Sequence, residues 1–159
     1  MRLQLTKRTD YAIRACLHLA SADACPISGR LIAERMAIPD QFLPQVMADL
    51  GRAGIVAATS GKNGGYCLRR DPATLSLLDV VDAVEGDGHG RRGALPGAAH
   101  HGDPGGALYP VWSMAQAAFI DVLAGASIAD LAAHQSAADV NGPVRPEVDG
   151  RLRPERTKR

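Results

Sequence analysis

At 159 residues, with 46% hydrophobic and 22% charged side chains, the chain can bury one core, which excludes wholesale disorder and a pair of large domains. Aromatics are only 4%, so that core must come from Ala, Leu, Ile and Val. The longest apolar run, Ala53–Ala58 with Gly54 counted, falls far short of the ~20 residues of a membrane helix. The net charge of +1 conceals a segregation of +5 over residues 1–70, −6 over 71–135 and +2 over 136–159. A basic front half suits a polyanionic partner, although an ordinary solvated surface carries the same pattern.

In chain order, Thr6 or Thr9 can cap a helix running to about Ser21, with Ile13, Cys16, Leu17 and Ala20 recurring at three and four. Its Arg14 and His18 interrupt the apolar stretch, so the amino end is not read as a signal peptide. After the loop Asp23-Ala24-Cys25-Pro26, Ser28 caps a second helix, Gly29–Met36, with Leu31, Ile32 and Met36 inward. Pro39 pushes Ile38 out of helical geometry and ends it. Asp40 then opens a third helix to about Ala53. Its buried stripe is Leu43, Val46, Met47 and Leu50, and Gln41, Gln45, Asp49 and Arg52 lie on the other side. Pro44 costs nothing if Gln41 is the cap, and one hydrogen bond if Asp40 is.

Gly54 stops that helix. Ile55–Thr59 and Tyr66–Arg69 are predicted strands around the turn Gly61-Lys62-Asn63-Gly64-Gly65, which makes a hairpin. Ser76 caps a helix Leu77–Val84 with Leu78, Val81 and Val84 inward. Gly86–Gly106 carries eight glycines among 21 residues, with Pro96 and Pro104. It cannot pack as a core element and is predicted to be a mobile loop. A long helix follows, Leu108 to about Leu123, whose Leu108, Val111, Ala115, Ala118 and Val122 form a two-heptad seam suited to pairing helices. Ser127 caps a short helix, Ile128–His134, and from Gln135 the polar, proline-bearing chain is predicted to be a disordered basic tail.

The expected fold is mainly α: a winged helix-turn-helix with a two-stranded β wing and a long C-terminal dimerisation helix. The predicted divisions are a DNA-binding domain over 1–85, the glycine-rich loop over 86–106, the dimerisation helix with its short successor over 107–134, and the tail over 135–159. The third helix seats its apolar stripe on the first two and leaves a polar side that fits the major groove. Gln41 and Gln45 lie near its start, and Gln can donate and accept in one plane, which suits adenine. Arg52, and Arg30 or Arg35, suit phosphates. At the wing tip, glycines allow close approach to a nucleic-acid backbone, Lys62 supplies charge, and Asn63 adds a polar contact. Lys7 completes the expected DNA-contacting set of Lys7, Gln41, Gln45, Arg52, Lys62 and Asn63.

At this point the sequence resembles the Rrf-two (BadM) family of bacterial transcription regulators, which includes IscR and NsrR. The resembling stretches are Met1-Arg2-Leu3 with Leu5–Ala12, Leu31–Arg35, Leu50–Val56, the wing Gly61–Tyr66, the helix Leu77–Glu85, and Trp112 through Leu131. The resemblance covers roughly 1–134 apart from the glycine-rich loop, and it implies a homodimer on a near-palindromic operator of double-stranded DNA, usually as a repressor. Two departures stand out. Ser60 occupies the place where the family usually carries Arg before the wing. Many members also hold an iron–sulfur cluster through three cysteines in the loop before the dimer helix, and Gly86–Gly106 has none. No iron–sulfur cluster or other cofactor is therefore expected, since thiolates are the usual cluster ligands.

Other residues invite chemistry. Asp10 matches a position where some relatives supply a carboxylate cluster ligand, but it suits a helix start. His89, His100 and His101, with Asp87 and Asp103, have metal-ligating chemistry but lie in a Gly-rich loop that fixes them poorly, so no metal site is expected. Cys16, Cys25 and Cys67 are odd in number and lack paired spacing, which predicts no disulfide framework and a reducing cytoplasm; Cys25 is read as a plain small side chain before an oxidation sensor. Gly61-Lys62 is not a phosphate-binding loop, because Val56 stands where the first Gly should be. Trp112 and Phe119 suit a dimer or domain core. No HExxH, GxSxG or metal-spaced cysteine pair is present, so an enzyme is not expected. The alternative to a DNA-binding regulator is a winged-helix protein-interaction module that has lost sensing and its grip on DNA, a reading that rests on Ser60.

Overall fold

The computed structural model describes residues 5–86 and 109–141, the side chains of 138–141 excepted. The expected loop Gly86–Gly106 lies, beyond Gly86, outside the described residues, as do Leu108 and the tail from 142.

The chain begins with α1 (Lys7–Ser21), capped by the Thr6 hydroxyl, which accepts from the Thr9 N–H. Then come α2 (Gly29–Met36), capped by Ser28, and α3 (Leu43–Arg52). Strands β1 (Val56–Thr59) and β2 (Gly65–Leu68) pair antiparallel with Val56 opposite Leu68 and Thr59 opposite Gly65. The ladder continues one bond further, since the Arg69 N–H donates to the Ile55 carbonyl. Three helices complete the order: α4 (Leu77–Glu85), α5 (Tyr109–Gly125) and α6 (Ile128–Asn141).

α1 is the hub, packed against α2, α3, α4 and α6. Contact on so many sides shifts its buried centre from the expected stripe. Ala12, Ala15, Cys16 and Leu19 are buried with Thr9, whereas Ile13, Leu17 and Ala20 pack at the flanks. In α2 the inward residues are Ile32 and Ala33, and Leu31 is exposed. α4 lies among α1, α3 and α5, so Val80 and Val84 are buried while Leu78 and Val81 are half-buried.

α3 starts three residues later than expected. Residues 39–42 form a turn closed by the Phe42 N–H on the Pro39 carbonyl at 2.9 Å, and Pro44 falls in the first helical turn, where its missing N–H has no partner to lose. The expected stripe of Leu43, Val46, Met47 and Leu50 is buried.

α6 departs most from expectation. It does not end at His134 but runs to Asn141, through the segment predicted to begin a disordered tail. Alanines at 132, 133, 137 and 138 carry high helix propensity at no cost in side-chain entropy. Its start is also stitched to α4. Ile128 N–H donates to Leu75 O and Leu77 N–H to Ala126 O, both at 2.8 Å, and Ile128 is wholly buried in the core. The short successor of the long helix therefore packs with the winged domain.

The cysteine expectation is corrected too. Cys25 and Cys67 are joined as a disulfide, with their Cα atoms 5.6 Å apart. Their 42-residue separation carries no sequence signal; only the fold brings the loop before α2 onto β2. Cys16 is free and buried, and burial pushes its thiol up to about 12.

Candidate nucleic-acid interface

With its apolar stripe seated on the core, α3 leaves a polar flank in solvent. Gln45 in the first turn and Arg52 at the last position are exposed. Gln41 is exposed as well, but it lies in the turn entering α3 and not on the helix. Lys7 opens α1 and is exposed.

The wing tip is a tight turn. The Gly64 N–H donates to the Gly61 carbonyl at 3.0 Å, which puts Lys62 and Asn63 at the two exposed corners. Gly61 adopts φ +108°, open to glycine and strained for other residues. The base of the wing is bound to the entry of α2. Ile27 and Tyr66 exchange N–H···O bonds of 3.0 and 2.8 Å, and Gly65 passes so close that a Cβ there would meet the Ile27 carbonyl oxygen at 2.2 Å. The hairpin is thus anchored beside α2, whose Ser28 hydroxyl accepts from the Leu31 N–H.

Asp49 does not lie on the exposed polar flank, where the sequence places it with Gln41, Gln45 and Arg52. It is 2% exposed and accepts from two guanidinium groups, Arg52 on α3 and Arg8 on α1. Three residues after Val46, it lies on the edge of the buried stripe, and that spacing was the available signal. Arg8 was missed because its role depends on this long-range contact. The two arginines remain 42% and 76% exposed, so one buried carboxylate holds a pair of outward-facing cations at the α1–α3 junction. Thr6 and Thr9 at the start of α1 both donate to Glu85, the last residue of α4.

These elements match a known class of regulator. The family model described as "Iron-dependent Transcriptional regulator" matches residues 5–134. The chain belongs to the Rrf2 family. Among relatives, the IscR transcriptional regulator of Escherichia coli O1:K1 is 27% identical over 141 residues, covering 88% of this chain and 86% of that one. A Synechocystis chain provisionally named an HTH-type transcriptional regulator is 40% identical over 84 residues, and this match spans 57% of that protein. Among solved structures, T. potens IscR superposes with a TM-score of 0.68 at 25% identity, over 89% of this chain and 93% of that one. The winged helix-turn-helix expectation is thereby met, and this Rrf2 member is an HTH-type transcriptional regulator; its homologues are regulators and not enzymes.

The family description implies iron, and the cysteines of this Rrf2 chain do not fit a thiolate-held cluster. Cys16 is enclosed in the core, Cys25 and Cys67 are bonded to each other, and residues 86–106 contain no cysteine. Among the described residues no three His, Cys, Asp or Glu side chains converge. Asp10 is engaged by Arg14 at 2.6 Å. The histidines and acids of the glycine-rich segment, His89, His100, His101, Asp87 and Asp103, lie outside the described residues. Trp112 and Phe119 are half-buried on α5. Among the described residues no helix is long and apolar enough to cross a membrane.

Proposed function

We propose that the chain is a homodimeric, sequence-specific DNA-binding regulator, acting as a repressor from the cytoplasm on a near-palindromic operator without a thiolate-ligated iron–sulfur cluster. The observation that carries this reading is the outward polar flank of α3, with the turn that enters it, beside an anchored wing turn: Gln41 in the entering turn, Gln45 and Arg52 on the helix, and Lys62 and Asn63 on the wing are all exposed while the opposite face of α3 is buried. In this reading α3 enters the major groove. Gln41 and Gln45 meet base edges, and Lys7, Arg52, Lys62 and Asn63 hold the sugar–phosphate backbone. Arg8, paired beside Arg52 on Asp49, joins them.

Dimerisation would use α5. None of its residues is buried, and Val111, Ala115, Ala118 and Val122 are exposed, as an apolar seam awaiting a second copy requires. Leu108 extends the seam in sequence. Two copies so joined would read two half-sites.

The test is to select duplexes from a random pool and measure their affinity by fluorescence anisotropy. Gln45→Ala is expected to lose roughly 1–3 kcal/mol on the selected duplex and to relax preference at one position per half-site. Lys62→Ala is expected to weaken all duplexes alike and to lower the salt slope by about one unit per protomer. No binding at low salt would contradict the proposal and favour a protein-interaction module.

A further inference from the structure

We propose that Cys25 and Cys67 form a reversible thiol–disulfide site, exchanged with low-molecular-weight thiols, that sets how firmly the wing is held to the helix-turn-helix. The functional consequence rests on the DNA-binding reading above; the chemistry of the site does not.

The three cysteines have different surroundings. Cys16 is enclosed in the core with its thiol pushed up to about 12, so it neither attacks nor is attacked. Cys25 is exposed in the loop before α2, and Cys67 is half-buried on β2 opposite Ala57. Their Cα atoms are 5.6 Å apart, within the ordinary span of a disulfide. The bond closes beside the Ile27–Tyr66 bridge, where Gly65 passes against the Ile27 backbone. Without it, two reciprocal hydrogen bonds and this packing hold the loop to β2. With it, the loop leading into α2 and the strand leaving the wing turn are covalently joined.

The exchange balances simply. A thiolate of a small thiol RSH attacks the exposed Cys25 sulfur. The Cys25–Cys67 bond breaks, and Cys67 leaves as a thiolate that takes up a proton. A second thiolate attacks the R sulfur of the resulting mixed disulfide, forming R–S–S–R and releasing Cys25 as a thiol. Two electrons pass from the small thiols to the protein, and R–S–S–R drives the reverse reaction. Where thiols are kept reduced, the disulfides that do form are usually transient or sensing.

The two joined elements carry the proposed contacts: Lys62 and Asn63 are three or four residues before Tyr66, and α2 begins at Gly29. A fixed wing has less conformational freedom to lose on meeting DNA, so the oxidised protein should bind more tightly.

The full chain is equilibrated in glutathione buffers of graded reduced-to-oxidised ratio. Alkylation in denaturant followed by mass spectrometry counts thiols, and anisotropy measures binding to a duplex. The expected result is one alkylated cysteine at the oxidised limit and three at the reduced limit, with duplex affinity falling on the order of fivefold along the same titration. Cys67→Ser should accumulate a glutathione adduct on Cys25, whereas Cys25→Ser should not, and both should bind DNA with the reduced protein's affinity at every ratio. Three alkylated cysteines in every buffer would overturn the site. A normal thiol titration with unchanged affinity would overturn its link to the wing. A normal titration with no duplex binding in either state would uphold the thiol chemistry and contradict the DNA-binding reading.

Discussion

Asp49 is a carboxylate that the fold has nearly removed from water, and two arginines make that placement tolerable. Its partners can rehydrate when it is lost, because both stay partly exposed, so the cost should be below that of a fully buried pair. Asp49→Ala is expected to lower unfolding free energy in urea by about 1–2 kcal/mol, and Arg52→Ala by less than about 1 kcal/mol. Equal, negligible losses would show that the carboxylate is not buried in solution. Glycines offer a second contrast. A methyl group at Gly65 would meet the Ile27 carbonyl carbon at 2.5 Å and its oxygen at 2.2 Å, whereas at Gly51 it meets nothing within 4 Å. Gly65→Ala is therefore expected to destabilise by about 1–3 kcal/mol. Gly51→Ala, in a helix, should stabilise by roughly 0.5–1 kcal/mol. Thermal unfolding of the two variants decides whether the wing base is packed backbone on backbone. At this scale the sequence was least legible. The apolar residues facing in could be read for α3, but the Arg8–Asp49 ion pair and the Cys25–Cys67 bond both join segments about forty residues apart.

Elements were read more reliably, because caps and periodicity are local. Ser28 and Ser76 cap the helices expected of them, and of the two candidates Thr6 and Thr9 it is Thr6 that caps α1. The Ser76 cap is the most complete, with the Ser76 N–H and hydroxyl both donating to Asp79 and the Asp79 N–H donating back to the hydroxyl. Burial works to raise the Asp79 pKa, but the Ser76 backbone and hydroxyl bonds and the Arg70 guanidinium outweigh it and hold the carboxyl below its ordinary value of 3.8. A depressed folded value means that this stabilisation is complete above 3.8 and is lost as pH falls through the folded value. Acid titration of Tm should therefore show a loss beginning below about pH 4. Ser76→Ala should lower stability by about 1 kcal/mol at neutral pH and reduce that acid-sensitive portion. An unchanged acid profile in the variant would show that the cap does not set the Asp79 titration. Boundaries slipped where tertiary contact or composition outweighed local signals. A polar reading of 135–141 overlooked alanine propensity, and the pull of Asp40 as a cap overlooked the Pro39–Phe42 turn.

For the whole molecule, the order of helices and hairpin was legible because each helix carries a short apolar stripe and the wing carries a dense glycine turn. Which unit α6 joins was not, since only the fold brings Ile128 onto Leu75. The long helix leaves Val111 65% and Val122 71% exposed. Replacing both with Glu should convert a dimer to a monomer in sedimentation equilibrium while leaving the winged domain folded by circular dichroism. A wild-type monomer would contradict the seam.

DNA contact itself is decided most directly by titrating the wild-type chain against a generic duplex by anisotropy at salt concentrations from about 50 to 200 mM. Cations at Lys7, Arg8, Arg52 and Lys62, doubled in a dimer, predict a steep linear fall of log affinity with log salt, of several units. A flat dependence, or no association at the lowest salt, would contradict a polar α3 flank and wing that grip the duplex.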